Sequence, residues 1–151
     1  MIKKFLQKIF KKVSYGIFLK IYGKIENSIE YQKDDRIEVK TINLEENLKY
    51  KIYKISNSRL YTDRIQDAAV IIDNKIVEGP SFQFRYTRAS TINNSRSENN
   101  IVFQKGTPRK LKNLKGTVLS LLTGGAGNTN YWHWIFDVLP RIGLFSKVYD
   151  L

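Results

Sequence analysis

The segment that most constrains the fold is 116–148, where an apolar run is followed by glycines and then by a helical pattern. Thr117–Leu122 is nearly continuously apolar, which is typical of a strand buried on both faces of a parallel sheet. A loop of small residues follows, made of Gly124, Gly125, Ala126, Gly127 and Asn128, and a helical pattern then runs from about Asn130 to Val148. A strand, a glycine loop and a helix begin a nucleotide-binding βα unit, whose loop amides and helix N-terminus hold a phosphate or a carboxylate. The glycines alone are weak evidence, because they lack the G-x-G-x-x-G and P-loop spacings.

Upstream of this block, apolar and polar residues alternate as they do in half-exposed strands. Arg36–Leu44 and Tyr50–Ser56 are two such stretches, separated by the polar Glu45–Asn47. An antiparallel meander is predicted next, with strands at Ala68–Ile72, Ile76–Val77 and Phe82–Tyr86, a turn at Asp73–Asn74 and a corner at Gly79–Pro80. Ile101–Phe103 is predicted to be one more strand.

Two further segments show no regular pattern. Residues 89–100 are almost wholly polar and are predicted to be a surface loop. Lys105–Lys115 contains five cations and no acid. It is interpreted as a solvated turn or short helix, with contact to a nucleotide diphosphate or an anionic acceptor as the alternative.

The charge of the chain is concentrated at its N-terminus. The formal net charge is +12 over 151 residues, and residues 1–25 carry seven lysines and no acid. Apolar residues recur there at helical spacing, at Ile2, Phe5, Leu6, Ile9 and Val13. Lysines occupy most of the opposite side, so we predict a basic amphipathic helix, with a second short helix at 17–25 after the Ser14–Gly16 interruption.

Residues 1–25 are interpreted as a peripheral anchor on the anionic cytoplasmic face of a membrane. The lysines interrupt what would be the apolar part of a secretory signal, and no run of about 18 apolar residues exists to span a bilayer. A helix packed on the domain with a solvated lysine face and an RNA-contacting arm are the alternatives. No nucleic-acid partner is predicted, because no recognised nucleic-acid motif accompanies the charge.

The predicted organisation is a helical segment at 1–25, a polar linker at 26–35 and, from 36 to 151, one domain or the first part of a larger one. The absence of cysteine excludes a disulfide framework, Cys-ligated metal and a thiol nucleophile, and the single histidine excludes a site that needs two imidazoles.

The helical pattern near the C-terminus carries a polar stripe. At about 100° per residue, four polar side chains fall within an arc of about 80°, namely Asn130, His133, Asp137 and Arg141. The rest of the circumference is mostly apolar, so we expect the helix to be largely buried. Asp137 lies four residues after His133 and can orient the imidazole as a base, whereas a purely structural polar network is the alternative. Pro140 removes the amide that would bond the carbonyl of Phe136, so a kink is expected.

The string GGAGNTNYWHWIFDVLPRI, with its N-Y-W-H-W-x-x-D-x-L-P-R core from Asn130 to Arg141, resembles the signature block of family 61 glycosyltransferases. That family includes bacterial capsular-polysaccharide biosynthesis proteins, plant xylosyl- and arabinosyltransferases and animal O-linked N-acetylglucosamine transferases. The resemblance is specific over Gly116–Val148 and loose over the β-rich region before it.

The resemblance implies an α/β fold of GT-B type, in which a β-rich N-terminal region leads into the first βα unit, and an inverting transfer from a nucleotide-sugar without a D-x-D metal site. It implies no cofactor and no metal. His133 and Asp137 are then the candidates for the base or its orienting group, and Arg141 for charge stabilisation. Gly124, Gly125, Gly127, Asn128 and Asn130 are the candidates for substrate binding.

The resemblance also implies a longer enzyme than this chain, since the second half of a GT-B enzyme provides most of the donor site. The leading hypothesis is therefore the N-terminal portion of a membrane-associated bacterial transferase for a capsular or lipopolysaccharide glycan, inactive as this chain alone. The alternative is a non-enzymatic module that docks to a membrane within a polysaccharide assembly system.

Overall fold

A computed structural model describes residues 2–45, 48–62, 67–83, 97, 100–121 and 131–149. In chain order its elements are α1 Ile2–Tyr22, β1 Asn27–Ile29, a 3₁₀ turn Tyr31–Lys33, β2 Ile37–Glu45, β3 Leu48–Ile55, β4 Arg59–Tyr61, β5 Asp67–Ile72, β6 Lys75–Val77, β7 Phe82–Gln83 and α2 Val102–Lys105. A last helical segment, 131–146, consists of α3 Tyr131–His133, a π turn Trp134–Val138 and α4 Leu139–Ser146.

The strands form two sheets. β2 and β3 are an antiparallel hairpin, as the alternation predicts. The second sheet has the order β1-β6-β5-β4, with β7 also paired to β5. Its pairs are antiparallel except that β1 runs parallel to β6. The predicted strands are therefore present as β5, β6 and β7, but they do not form a meander, because β7 pairs with β5 and not with β6. β1 and β4 are strands that the alternation did not indicate.

The turn between β5 and β6 shows why these residues form a hairpin. Asp73 and Asn74 both have positive φ, 45° and 59°, a conformation that Asp and Asn tolerate better than other side-chain-bearing residues. Gly23 ends α1 beside this turn with a φ of 78°. A Cβ on Gly23 would lie 2.4 Å from the Asn74 side-chain nitrogen, so the close approach of helix end and turn requires glycine.

The core lies on both faces of β5 and β6. On one face Ala69, Ile71 and Ile76 pack with Ile25, Tyr61 and Val102. On the other face Ile72 and Val77 pack with Ile37, which belongs to the β2–β3 hairpin. The alternation of side chains along a strand sends neighbouring residues to opposite faces, so the sheet is covered on both sides.

One buried polar side chain joins α2 to this sheet. Asn100 is 2% exposed; its amide nitrogen donates to the carbonyl of Ala68 at 3.0 Å, and its amide oxygen accepts from the backbone of Val102 at 3.2 Å. The predicted strand at Ile101–Phe103 is wrong, because this segment forms the helical turn α2. The Asn100 side chain thus pairs the carbonyl of Ala68 and the amide of Val102. In a strand, a neighbouring strand would have to pair such backbone groups.

α1 is a single helix that continues through Gly16, so the predicted interruption there is wrong. Part of the predicted linker 26–35 pairs into the sheet as β1. Most of the predicted loop 89–100 lies outside the described residues.

The predicted strand at Thr117–Leu122 is also wrong for the part that the structure describes. Residues 117–121 have no regular secondary structure, and 117–120 are exposed. A strand of a parallel sheet needs a hydrogen-bonded neighbour, and no described strand pairs with this segment. Of the predicted βα unit, the described residues thus contain the helix and not the strand.

An ion cluster fastens the start of β2 to the turn after β5. The Arg36 guanidinium donates to both carboxylate oxygens of Asp34, at 2.8 and 2.7 Å, and to Asp73 at 2.6 Å. The Arg36 backbone amide adds a bond to Asp34 at 3.0 Å. These bonds from Arg36 lower the pKa of Asp34 to about 2 and also lower the pKa of Asp73.

Substitution of Asp34 tests this cluster. The pKa of Asp34 in the folded protein lies below its ordinary value of 3.8, so the stabilisation is present above that value and is lost as the pH falls towards about 2. We expect Asp34→Asn to lower the melting temperature at neutral pH, and the difference from wild type to shrink below about pH 4. Glu45→Gln, an exposed change of equal charge, is the control. A difference for Asp34→Asn that stayed constant from neutral pH to pH 2 would contradict the assignment.

Candidate functional site

The residues singled out by the family resemblance lie on and before the helical segment 131–146. His133 ends α3, Asp137 lies in the π turn and Arg141 is exposed on α4. The side chains of His133 and Asp137 lie outside the described part of the structure. So do the remaining candidates, Gly124, Gly125, Gly127, Asn128 and Asn130. The structure therefore places three of these residues along one helix, and the predicted His133–Asp137 contact stays a prediction.

The helix widens at Trp134–Val138, immediately before Pro140. Proline has no amide to donate, and its ring collides with the carbonyl four residues earlier in a regular α-helix. A π turn, whose bonds run from residue i to i+5, accommodates this by adding a residue to the turn. The distortion expected from Pro140 thus takes the form of a π turn, and Pro140 itself lies in the first turn of α4.

One face of this segment contacts the rest of the protein. Val138 is 2% exposed, and Ile135, Ile142 and Phe145 are half-buried. Beyond the helix, Tyr149 stacks on Phe145 with ring centroids 4.8 Å apart. The ammonium of Lys40 lies 4.4 Å from the centre of the Tyr149 ring. This cation–π contact fastens the end of the segment to strand β2.

Five large apolar side chains of the segment are open to solvent. Trp132 and Phe136 stack in parallel with centroids 5.5 Å apart. The exposed apolar residues of the segment are Tyr131, Trp132, Trp134, Phe136 and Leu139, at 72%, 66%, 49%, 63% and 52%. The expectation that the helix is largely buried is therefore wrong, because among the described residues of the segment only Val138 is buried. We call these five residues the aromatic face.

The basic stretch Lys105–Lys115 begins at the last residue of α2 and continues as irregular backbone, in which 106–108 are buried and 109–116 are exposed. The backbone amide of Leu111 donates to the Tyr22 hydroxyl of α1 at 2.8 Å. The guanidinium of Arg59 lies over the Tyr22 ring, 5.5 Å from its centre. The stretch is thus a solvated segment that packs against the end of α1.

The aromatic face is the feature that the sequence reasoning missed. The signal was available, since Trp132, Trp134 and Phe136 interleave with the polar stripe in the sequence and leave a helix apolar on more than one side. The periodicity indicated burial, but a helix is buried only where other elements cover it.

Among the described residues, no group of three or more histidine or acidic side chains is placed to hold a metal ion, and the expectation of a metal-free reaction stays a prediction. No helix in the described ranges is long and apolar enough to cross a membrane. Comparison of the chain with protein-family models, with curated proteins and with solved structures finds no match.

Replacement of Pro140 tests the origin of the π turn. Pro140→Ala supplies an amide that can bond to the Phe136 carbonyl, so we expect the turn to contract to regular α-helix and the stability to rise by about 1–3 kcal/mol. Amide hydrogen exchange would show protection at residue 140, and circular dichroism would show more helix. Pro80→Ala, in a surface corner, is the control and should add no helix. A π turn that persists in Pro140→Ala would contradict the explanation.

Proposed function

We propose that this chain is the N-terminal part of an inverting glycosyltransferase that transfers a sugar from a nucleotide-sugar to a capsular or lipopolysaccharide glycan. The observation that carries the proposal is the position of the N-Y-W-H-W-x-x-D-x-L-P-R block on one helical segment that contains a π turn. Single π turns inside helices are frequent at functional sites. Here the turn lies between His133 and Pro140, at the centre of the block.

In the proposed site, His133 removes the proton of the acceptor hydroxyl and Asp137 orients the imidazole. Inverting transfer requires a base on the acceptor and positive or amide groups on the departing diphosphate. Arg141, exposed one turn after Asp137, supplies positive charge for the diphosphate. The loop at 124–128 and Asn130 position the substrate, and no metal ion takes part.

The aromatic face supports the view that further protein completes this site. An exposed apolar patch rimmed by polar residues marks an interaction surface, and desolvation strengthens the electrostatic stabilisation that a transferase site needs. A helix with five large apolar side chains in water lacks this desolvation.

We therefore expect the purified 151-residue chain neither to transfer sugar nor to hydrolyse nucleotide-sugars, measured as release of nucleoside diphosphate. Such release, catalysed by the purified chain, would contradict this.

The protein is further proposed to work at the inner face of the cytoplasmic membrane as a peripheral protein, with residues 1–25 as its anchor. Support comes from α1, which has exposed apolar residues, six lysines and no acid. A transferase whose acceptor is a membrane-bound glycan gains from being held at that surface.

Variants of the complete gene product test the catalytic assignment. We expect His133→Ala and Asp137→Asn to reduce surface polysaccharide formation by at least about 10²-fold, since a positioned base contributes that much. Gly143→Ala is the matched control on the same segment, because a Cβ there meets no atom within 4 Å. Melting temperatures would confirm that each variant folds.

Normal polysaccharide in cells whose His133→Ala and Asp137→Asn proteins are folded would overturn the catalytic assignment. It would favour the second candidate, a non-enzymatic membrane-associated module of a polysaccharide assembly system. The observation that favours this module is the pair of uncovered apolar faces, one on α1 and one on the helical segment 131–146.

A further inference from the structure

α1 carries an apolar stripe along its first four to five turns. At about 100° per residue, seven apolar residues fall within an arc of about 140°, namely Ile2, Phe5, Leu6, Ile9, Phe10, Val13 and Ile17. Their exposed fractions lie between 45% and 76%. No described element of the protein covers them, and we call these residues the apolar stripe.

The end of α1 contacts the folded body through the opposite side. Phe18 and Tyr22 stack with centroids 5.8 Å apart, and the Tyr22 hydroxyl accepts the bond from Leu111. On the same projection these two residues point about 170° away from the middle of the stripe. Because the helix continues through Gly16, the stripe and the body contact are fixed on opposite sides of one rod about 31 Å long.

The charges of α1 identify the occupant of the stripe. The helix carries Lys3, Lys4, Lys8, Lys11, Lys12 and Lys20 and no acidic residue. Lys3 and Lys12 lie about 20° beyond the two edges of the stripe, where their stems can follow apolar surface while the ammonium groups reach outward. A second copy of α1 would oppose lysines with lysines, whereas an anionic bilayer surface offers apolar chains beneath negative headgroups.

We propose that α1 lies flat in the surface of an anionic phospholipid bilayer, with the apolar stripe towards the lipid and the folded body held on the water side by Phe18 and Tyr22. This rests on the peripheral-membrane part of the proposed function and adds the face and the orientation. The body then has one fixed side towards the membrane, rather than moving on a flexible tether.

Single cysteines with an environment-sensitive fluorophore measure this orientation directly, because the chain has no cysteine of its own. With vesicles of phosphatidylglycerol and phosphatidylcholine in equal parts, we expect blue-shifted emission from labels at Leu6, Val13 and Ile17 and none from labels at Gln7 and Ser14. Leu6 and Ile17 lie about 16 Å apart along the axis, so equal depths show a helix that lies flat. A buried label at Leu6 with a water-exposed label at Ile17 would overturn the flat orientation, and so would equal shifts at stripe and control positions.

Vesicle sedimentation tests the stripe and the charge separately. Ile9→Gln with Val13→Gln should abolish binding, whereas Gln7→Ala with Ser14→Gln, at about 110–130° from the middle of the stripe, should leave it unchanged. Each of Lys3→Gln and Lys12→Gln should weaken binding about fivefold, and vesicles of phosphatidylcholine alone should bind far less. Wild-type binding by the Ile9/Val13 variant would overturn the proposal. Dimerisation of the chain in solution that the same variant abolishes would also overturn it and assign the stripe to a second copy.

The fluorescence and sedimentation measurements do not depend on sugar-transfer activity. Failure of vesicle binding leaves the catalytic assignment of His133 and Asp137 standing, and failure of that assignment leaves the orientation of α1 standing.

Discussion

The structure depends on covering both faces of strands β5 and β6. Ala69, Ile71 and Ile76 are almost completely buried on one face, and Ile72 and Val77 on the other. Since these side chains must leave water on both sides, the β2–β3 hairpin packs on one face, while Ile25 and α2 pack on the other. These two layers position the hairpin, the end of α1 and α2 around the sheet.

Each of the two exposed helices is joined to this core or to the hairpin at particular residues. Ile25 is 1% exposed, so the chain after α1 is held in the sheet layer, and Gly23 brings the helix end against the Asp73–Asn74 turn. The helical segment 131–146 is held through Val138 and through the Lys40–Tyr149 contact. Each helix therefore uses one face to join the body and leaves another apolar face in water. Large uncovered apolar faces are typical of surfaces that bind a partner or a membrane. We propose a membrane for the face on α1 and further protein for the face on the segment 131–146.

Local pattern predicted much of this structure. The alternation at 36–44, 50–56 and 68–72 predicted strands, and the lysine-rich segment predicted a helix, because side-chain periodicity directly reflects the conformation. The errors have a common physical cause. Thr117–Leu122 has the composition of a buried strand, and Ile101–Phe103 that of a short one, but strands require partners that composition does not reveal. The pairing of β1 with β6 and the Arg36 cluster join residues far apart in sequence, which no local pattern indicates.

In the candidate site too, the local conformation could be predicted from the sequence and the tertiary surroundings could not. The periodicity predicted a helix from about Asn130 to Val148, and residues 131–146 are helical. The amide that Pro140 lacks predicted a kink, and the structure has a π turn shortly before the proline. The burial of that helix was predicted from its apolar circumference, and this was wrong because burial depends on the elements around it. The assignment of His133, Asp137 and Arg141 to sugar transfer remains a prediction from the resemblance.

The aromatic face of the helical segment 131–146 is open to solvent in this chain, and we propose that further protein covers it. The chain has two tryptophans, Trp132 and Trp134, and both lie on this face, so intrinsic tryptophan fluorescence with a neutral quencher reports on it alone. We expect emission characteristic of indole in water and ready quenching of the whole signal in the purified chain. Blue-shifted emission that resists the quencher would show that the face is already covered, and would contradict an open aromatic face.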